Sequence, residues 1–379
     1  MRVLMFNNPL NGHFLPLLPL ARALRGQGHT VAFVTAASMA GSIEPEGFVH
    51  IPAGPTVEAA IAEVNRRTGS DVMAKPSPAV VAEFFAGVRV DLAADEALAG
   101  ARAWEPDLVV SEHCDFVGPL VADVLKVPSA VMAIDPALEP EALVAMARVA
   151  RPRYLERGLE APGDAAPFGR WLVDLCPPSL QRGGALPALE RLPLRPEPHQ
   201  GAEGHSGADP VAATGRPRVL VSFSTVLASP ALGPVLRSLS ALDVDLVATT
   251  GSRPTDGFGL EPGRADLVSF RPAAQLLDGV SVVVHHGGSG NTFGAAARGV
   301  PAVVVPGMAG QQRQADRLQA AGAGIALPVG KQSPESVAAA VARVLAEPSY
   351  TEAAHRLRDE IAAMPSASEV AERLAAAVS

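Results

Sequence analysis

At 379 residues, 48% of them hydrophobic, the chain exceeds one typical domain and carries enough apolar side chains for two large cores. Its net charge of -8 argues against a nucleic-acid partner, and its two cysteines, Cys114 and Cys176, have neither metal-ligand spacing nor a disulfide framework. No apolar run approaches the roughly 18 residues that span a bilayer, and no signal-like run follows Met1, so a soluble cytoplasmic protein is expected.

The first half alternates strands and helices. Val3–Phe6 reads as a strand, Asn7–His13 as a loop, and Phe14–Arg25 as a helix with Leu17, Leu20, Ala21 and Leu24 on one face. Gly26 and Gly28 end that helix, and Thr30–Thr35 is the next strand. A helix near Ala79–Ala101, the strand Asp107–Val110, a helix from about Phe116 to Leu125 and the strand Ser129–Ala133 follow. This order predicts an α/β fold with a parallel, doubly wound sheet. Between Pro187 and Pro217 the pattern dissolves into Pro, Gly and polar residues, a linker expected to be mobile in part. A second series begins with the strands Arg218–Phe223, Asp245–Thr249, Asp266–Ser269, Val280–His285 and Pro301–Val305; Ser333–Ala346 and Thr351–Val378 read as helices, broken near Pro348 and Pro365. The expected division is a domain at 1–195, a linker at 196–217, a domain at 218–350, and C-terminal helices at 351–379 that are free to pack back on the first domain.

The stretch "VVVHHGGSGNTFGAAARGVPAVVVP", residues 282–306, carries the chemistry. A β-branched run ends in glycines that open a helix of small residues at Ser289. Open α/β sheets bind ligands at such a place, where free N–H groups and the helix dipole attract anions. Ser289, Asn291 and Thr292 add side-chain donors, so a phosphate site is predicted. Neither GxGxxG nor GxxxxGK[ST] occurs, which argues against NAD enzymes and P-loop NTPases. "DVD" at 243–245 mimics a metal-binding motif but opens a core strand and reads as a solvated strand start.

"HHGGSGNTFGAAARGVPAVVVPGMAGQQ" resembles the signature of family 1 glycosyltransferases, nearest the bacterial branch that decorates polyketide and other antibiotic aglycones. "NGHFLPLLPLARALRGQGHTVAFVT" is similar to that family's first βαβ unit, and "FRPAAQLL" and "VSFST" occupy the expected places, so the resemblance spans the whole chain. It implies the GT-B fold: two facing Rossmann-like domains with a cleft between them. It also implies a nucleotide-sugar donor in the second domain and a hydrophobic acceptor in the first. His286 matches the histidine on the diphosphate; Gly288, Ser289, Gly290, Asn291 and Thr292 match the phosphate turn; Thr225 matches a hydroxyl reaching the phosphates. Phe270 matches the aromatic stacked on the nucleobase, with the Arg271 backbone beside it. His13 matches the catalytic base, oriented by an acid for which Glu112 is favoured and Asp115 is the rival. The bland alternatives are a helix-capping role for His13 and a core role for Phe270; His285 reads as a structural strand-end residue.

Two departures stand out. Gly310 occupies the place of an acid that, with the glutamine matched by Gln311, holds sugar hydroxyls in relatives. Losing that carboxylate favours a deoxygenated sugar. Ser224 replaces a usual glycine. The acceptor pocket is expected from residues 52–85 and 135–176, with Phe84, Met132, Phe168 and Trp171 among its walls. The implied reaction is inverting transfer from a TDP-sugar, with no metal and no cofactor beyond that co-substrate. A homodimer stays open. A nucleotide-sugar epimerase and a non-catalytic sugar-nucleotide-binding helper are the alternatives.

Overall fold

The structure, a computed structural model, describes all residues except 75, 161–162, 164–168, 182–188, 202–214, 224–231, 252–257, 261–263, 270, 308 and 379. The chain divides into two compact units: Met1–Cys176, Arg182–Leu194 and Pro365–Ser379 form one, and Pro177–Gln181 with Arg195–Met364 form the other.

Unit 1 is built on seven strands: β1 (Arg2–Phe6), β2 (Thr30–Thr35), β3 (Val49–Pro52), β4 (Leu108–Glu112), β5 (Ser129–Ala133), β6 (Trp171–Asp174) and β7 (Glu190–Pro193). Their order is β3-β2-β1-β4-β5-β6-β7, and all neighbours run parallel, with Met5 paired to Phe33 on one side and Val110 on the other. Such strands are covered on both faces, which is why β1 and β4 read as continuous apolar runs. The helices between them are α1 (Asn11–Phe14), α2 (Leu18–Gly26), α3 (Ala40–Ile43), α4 (Val57–Thr68), α5 (Pro78–Ala82), α6 (Arg89–Trp104), α7 (Val117–Leu125) and α8 (Pro140–Leu155).

Three local features differ from the sequence expectation. The loop expected over Asn7–His13 turns helical at Asn11, so His13 sits in α1. The helix is then interrupted by a 3-10 turn at Leu15–Leu17, because Pro16 and Pro19 lack the N–H groups that an α-helix needs there. The helix expected near Ala79–Ala101 is α5 and α6 joined by a π-helical turn, Glu83–Val88, which re-aims consecutive phenylalanines. The third is β7, which lies inside the stretch expected to be linker. A four-residue edge strand with Leu192 as its fully buried residue leaves no period to read, yet Arg191 pairs with Asp174 and Trp171 Nε1 donates to Glu190 at 3.0 Å.

Unit 2 has six parallel strands, β8 (Arg218–Ser222), β9 (Asp245–Thr249), β10 (Ala265–Val268), β11 (Val280–His285), β12 (Ala302–Val304) and β13 (Gly324–Ala326), in the order β10-β9-β8-β11-β12-β13. Helices α9 (Leu232–Leu239), α10 (Ala273–Leu276), α11 (Ser289–Ala297), α12 (Ala309–Ala320), α13 (Pro334–Ala346) and α14 (Pro348–Ala362) cover it. Residues 195–201 belong here: the Ala274 N–H donates to the His199 carbonyl at 3.0 Å. The rest of the expected linker, 202–214, lies outside the described residues. At the C-terminus the chain returns to unit 1 only from Pro365 onward, and α15 (Ala367–Val378) packs on α2, where Gln27 Nε2 donates to the Ser368 carbonyl. No helix among the described residues is long and apolar enough to cross a membrane. Asp243 is exposed beside Arg216, and Asp245 pairs with the same arginine at 2.7 Å, as a strand start would.

Candidate active site

The C-terminal ends of β1 and β4 lie side by side, since Phe6 pairs with Ser111. Past β1 the chain buries Asn7 and Asn8 and then presents His13 on α1. β4 runs one residue beyond Ser111, to Glu112, which is fully buried. His13 Nδ1 lies 2.9 Å from Glu112 Oε1. A carboxylate accepts only, so Nδ1 carries the proton and Nε2 keeps its lone pair. The imidazole is one-fifth exposed.

Burial alone would raise the Glu112 pKa, but His13, His113 and the Cys114 N–H at 2.7 Å pull it down to about 2. Burial opposes charge on His13, yet Glu112, with Asp135 and Asp115 beyond it, raises the imidazole above its ordinary value. Asp115 is not the partner of His13. Its Oδ1 accepts the Val117 and Gly118 N–H groups at 3.0 and 2.8 Å and so caps α7. Burial lifts its pKa to about 6, against the opposing pull of Arg89. His113 Nδ1 accepts the Ile134 N–H at 3.1 Å.

Glu112, His113 and Cys114 are the one group of three potential metal ligands among the described residues. Two of the three are poorly suited to a metal, while His113 keeps a buried Nε2 without a hydrogen-bond partner among the described residues. Both Glu112 oxygens are engaged, His113 Nδ1 is engaged, and burial beside Glu112 drives the Cys114 thiol well above its usual value, away from the thiolate a metal binds.

Of the expected acceptor residues, Phe84 is buried in a cluster with Val64, Val80 and Val88, while Met132 and Trp171 are fully buried in β5 and β6; Phe168 lies outside the described residues. The half-buried aromatic near His13 is Phe85, its ring centroid 6.0 Å from that of the imidazole. The π-helical turn puts Phe84 and Phe85 at an edge-to-face contact of 4.9 Å, a placement that no periodicity reveals.

In unit 2, β11 ends at His285 and α11 opens at Ser289 with Gly288 as its N-cap, which offers no side chain to its first N–H groups. Gly287 has φ +91°, and a Cβ there would meet the Gln311 carbonyl at 2.8 Å. A Cβ at Gly288 would lie 2.6 Å from His286 Nε2, so the imidazole needs glycine as its neighbour. His285 Nδ1 accepts the Gly287 N–H at 3.0 Å, which leaves the proton on a buried Nε2 with no partner among the described residues. Burial holds its pKa at about 3. Burial also lowers His286, whose buried Nδ1 likewise has no partner among the described residues.

The side chains of this turn divide. Asn291 Nδ2 donates to the Ser222 carbonyl at 3.3 Å, and the Thr292 hydroxyl spends its proton on the Gly288 carbonyl at 3.0 Å. Ser289 Oγ accepts from Gln314 Nε2 and so keeps its own proton for another acceptor. Gln314, nearly fully buried, was not singled out in the sequence, because a glutamine on a polar helix carries no signal there. Gln311 Oε1 accepts the Gly307 N–H at 2.8 Å, which leaves its amide protons free of that bond. Gly310 is exposed, and the nearest atom to a Cβ there is Arg313 Nη2 at 3.8 Å. Arg271 is half-buried; Phe270, Thr225 and Ser224 lie outside the described residues.

Comparison with known proteins places both halves. Residues 22–202 match the erythromycin biosynthesis protein CIII-like N-terminal domain, and residues 234–377 match the C-terminal domain of the same family. The TDP-daunosamine transferase DnrS of Streptomyces peucetius is 30% identical over 96% of this chain and 94% of its own. Among solved structures, the glycosyltransferase SsfS6 of Streptomyces sp. SF2575 complexed with thymidine diphosphate has a TM-score of 0.83 at 29% identity, over 99% of both chains. The spinosyn rhamnosyltransferase SpnG complexed with spinosyn aglycone has a TM-score of 0.82 at 27% identity, over 99% of this chain and 100% of that one. With two Rossmann-like parallel sheets and these matches over its whole length, the chain belongs to the erythromycin biosynthesis protein CIII-like family of GT-B glycosyltransferases of antibiotic biosynthesis.

Proposed function

We propose that the protein transfers a deoxysugar from a TDP-sugar to a hydroxyl of a hydrophobic, polyketide-like aglycone, with inversion and without a metal. The observation that carries this reading is the buried His13–Glu112 pair at 2.9 Å, which leaves Nε2 as a base. In the reaction the acceptor O–H gives its proton to Nε2 while its oxygen bonds to the anomeric carbon. The bond from that carbon to the diphosphate breaks, and TDP leaves with the electron pair. Glu112 stabilises the imidazolium that forms. The uncapped start of α11, the Ser289 hydroxyl and His286 answer the charge growing on the diphosphate, a task that otherwise calls for a metal. TDP as the nucleotide follows the relative named for a TDP-sugar and the neighbour complexed with TDP. The apolar acceptor follows Phe85 beside the base and the neighbour complexed with an aglycone.

Incubation with a panel of TDP-sugars and aglycones, read by product mass, tests the reading. Product is expected with deoxysugars, unchanged by chelator, and lost in His13→Ala while TDP still binds. Donor turnover without acceptor would replace it with the epimerase reading. The space beside Gly310 also admits a carboxylate, so Gly310→Asp should raise use of TDP-glucose. No rise at all would remove the basis for a deoxysugar.

A further inference from the structure

We infer that Asn8 and Arg89 are positioning residues for the base, a buried relay that fixes Glu112 against His13; this rests on the reading of His13 as the base. Asn8 Nδ2 donates to Glu112 Oε1 at 2.5 Å, and its backbone N–H points at the same oxygen from 3.4 Å. Its Oδ1 accepts Arg89 Nε at 3.2 Å. Arg89 is among the largest fully buried side chains, and its Nη1 faces the Pro55 carbonyl at 3.5 Å. Gly54, at φ +82°, lets that loop close over the guanidinium, since a Cβ there would come within 3.0 Å of Nη1.

The chain of donors runs one way. Arginine has only donors and an ionised carboxylate only acceptors, so the carboxamide between them has a single satisfied orientation, oxygen to Arg89 and nitrogen to Glu112. With Asn8 on Oε1 and the Cys114 N–H on Oε2, Glu112 cannot rotate. The site left on Oε1 belongs to His13 Nδ1–H, which dictates the tautomer. The charged and titratable groups facing this network are Asp115 on Arg89, His113 on Glu112, and Asp135 and Asp115 on His13. None of them touches the Asn8 side chain in place of Arg89.

The test uses the full-length, 15N-histidine-labelled protein, with His13 assigned by its loss in His13→Gln. Neutral His13 should show Nδ1 protonated and Nε2 bare. In Asn8→Ala and Arg89→Met the Nε2–H form should grow, with kcat down about ten- to a hundred-fold and donor KM unchanged, the scale of one lost hydrogen bond to a charged group. Arg89→Lys, which keeps the charge, should recover part of the loss; if Arg89→Met does not fold, Asn8→Ala and Arg89→Lys decide. An unmoved tautomer in Asn8→Ala, or a loss carried by donor KM alone, overturns the relay. Full transfer by His13→Gln overturns the underlying assignment instead, so the two failures are distinct.

Discussion

Replacing Glu112 by Gln keeps the shape of the side chain and removes one charge. The pocket around it consists of donors: Asn8 Nδ2 and His13 Nδ1 on Oε1 and the Cys114 N–H on Oε2. A carboxamide must turn its NH2 toward one side, so at least one buried donor faces another donor, at a cost of about 1–3 kcal/mol. The imidazolium formed during transfer also loses its anion. Two unit charges about 4 Å apart attract by about 4 kcal/mol at an effective dielectric constant near 20. Only the transition-state part of these terms enters kcat, and 3–4 kcal/mol there slows it by about two to three orders of magnitude. The pH profile carries a second signature. Transfer needs neutral His13, so kcat/KM falls as pH drops through the His13 pKa. Glu112 raises that pKa, and its removal therefore moves the acid limb to lower pH while the plateau falls. Steady-state transfer from pH 5 to 9, with TDP affinity as a control for folding of the donor site, measures both. A variant within ten-fold of the parent and with an unmoved acid limb would refute the dyad.

Three further outcomes follow from the structure. Gly287→Ala forces a left-handed φ on a residue with a side chain, about 1–2 kcal/mol, and drives its Cβ into the Gln311 carbonyl, so it should lower Tm and weaken TDP binding together; Gly290→Ala meets nothing within 4 Å and should keep Tm while weakening TDP binding, and unchanged affinity there would show that the turn does not hold the diphosphate. Asp115, raised from an ordinary value near 3.8 to about 6, binds its proton more tightly in the folded state, so it costs stability that is fully present above pH 6 and relieved as pH falls toward 4; Asp115→Asn keeps the Oδ1 cap, and the parent should gain Tm relative to it between pH 7 and 4, where a constant difference would refute the shift.

Both units were legible in the sequence because parallel strands buried on two faces declare themselves as apolar runs, as in β1, β4 and β11. Four short strands did not, β3, β6, β7 and β13, whereas β10 and β12, equally short, did. His13 and Glu112 were named through the family resemblance, and the structure places them in α1 after β1 and at the last residue of β4. That Glu112 rather than Asp115 holds His13 was not decidable from spacing. It follows from Asp115 turning back to the Val117 and Gly118 N–H groups, a capping choice made locally at α7. The turn that opens α11 was legible from its glycines, yet the Thr292 hydroxyl bonds inward and Ser289 is engaged by Gln314, distinctions that only side-chain geometry supplies. Phe84, expected in the acceptor wall, is instead buried with Val64, Val80 and Val88, and the π-helical turn leaves Phe85 as the half-buried ring of the two.

Glu112 and Asp115 are equally deep acids three residues apart, yet one is held near 2 and the other near 6. Depth raises both, so the separation comes from partners. Glu112 receives two side-chain donors and two backbone N–H groups, one of the side-chain donors an imidazole that can become cationic, whereas Asp115 has two neutral backbone N–H groups and a buried arginine that it shares with Glu112. With both acids ionised, Arg89 offsets one of the two negative charges. The second is offset when His13 takes a proton, so the pocket is short of one positive charge in the resting state and balanced in the state that follows proton abstraction. A site arranged in this way stabilises the imidazolium as it forms, the direction in which Glu112 shifts the His13 pKa, without any group having to move. On the proposed reaction, this is what lets His13 take the proton of the acceptor and hold it.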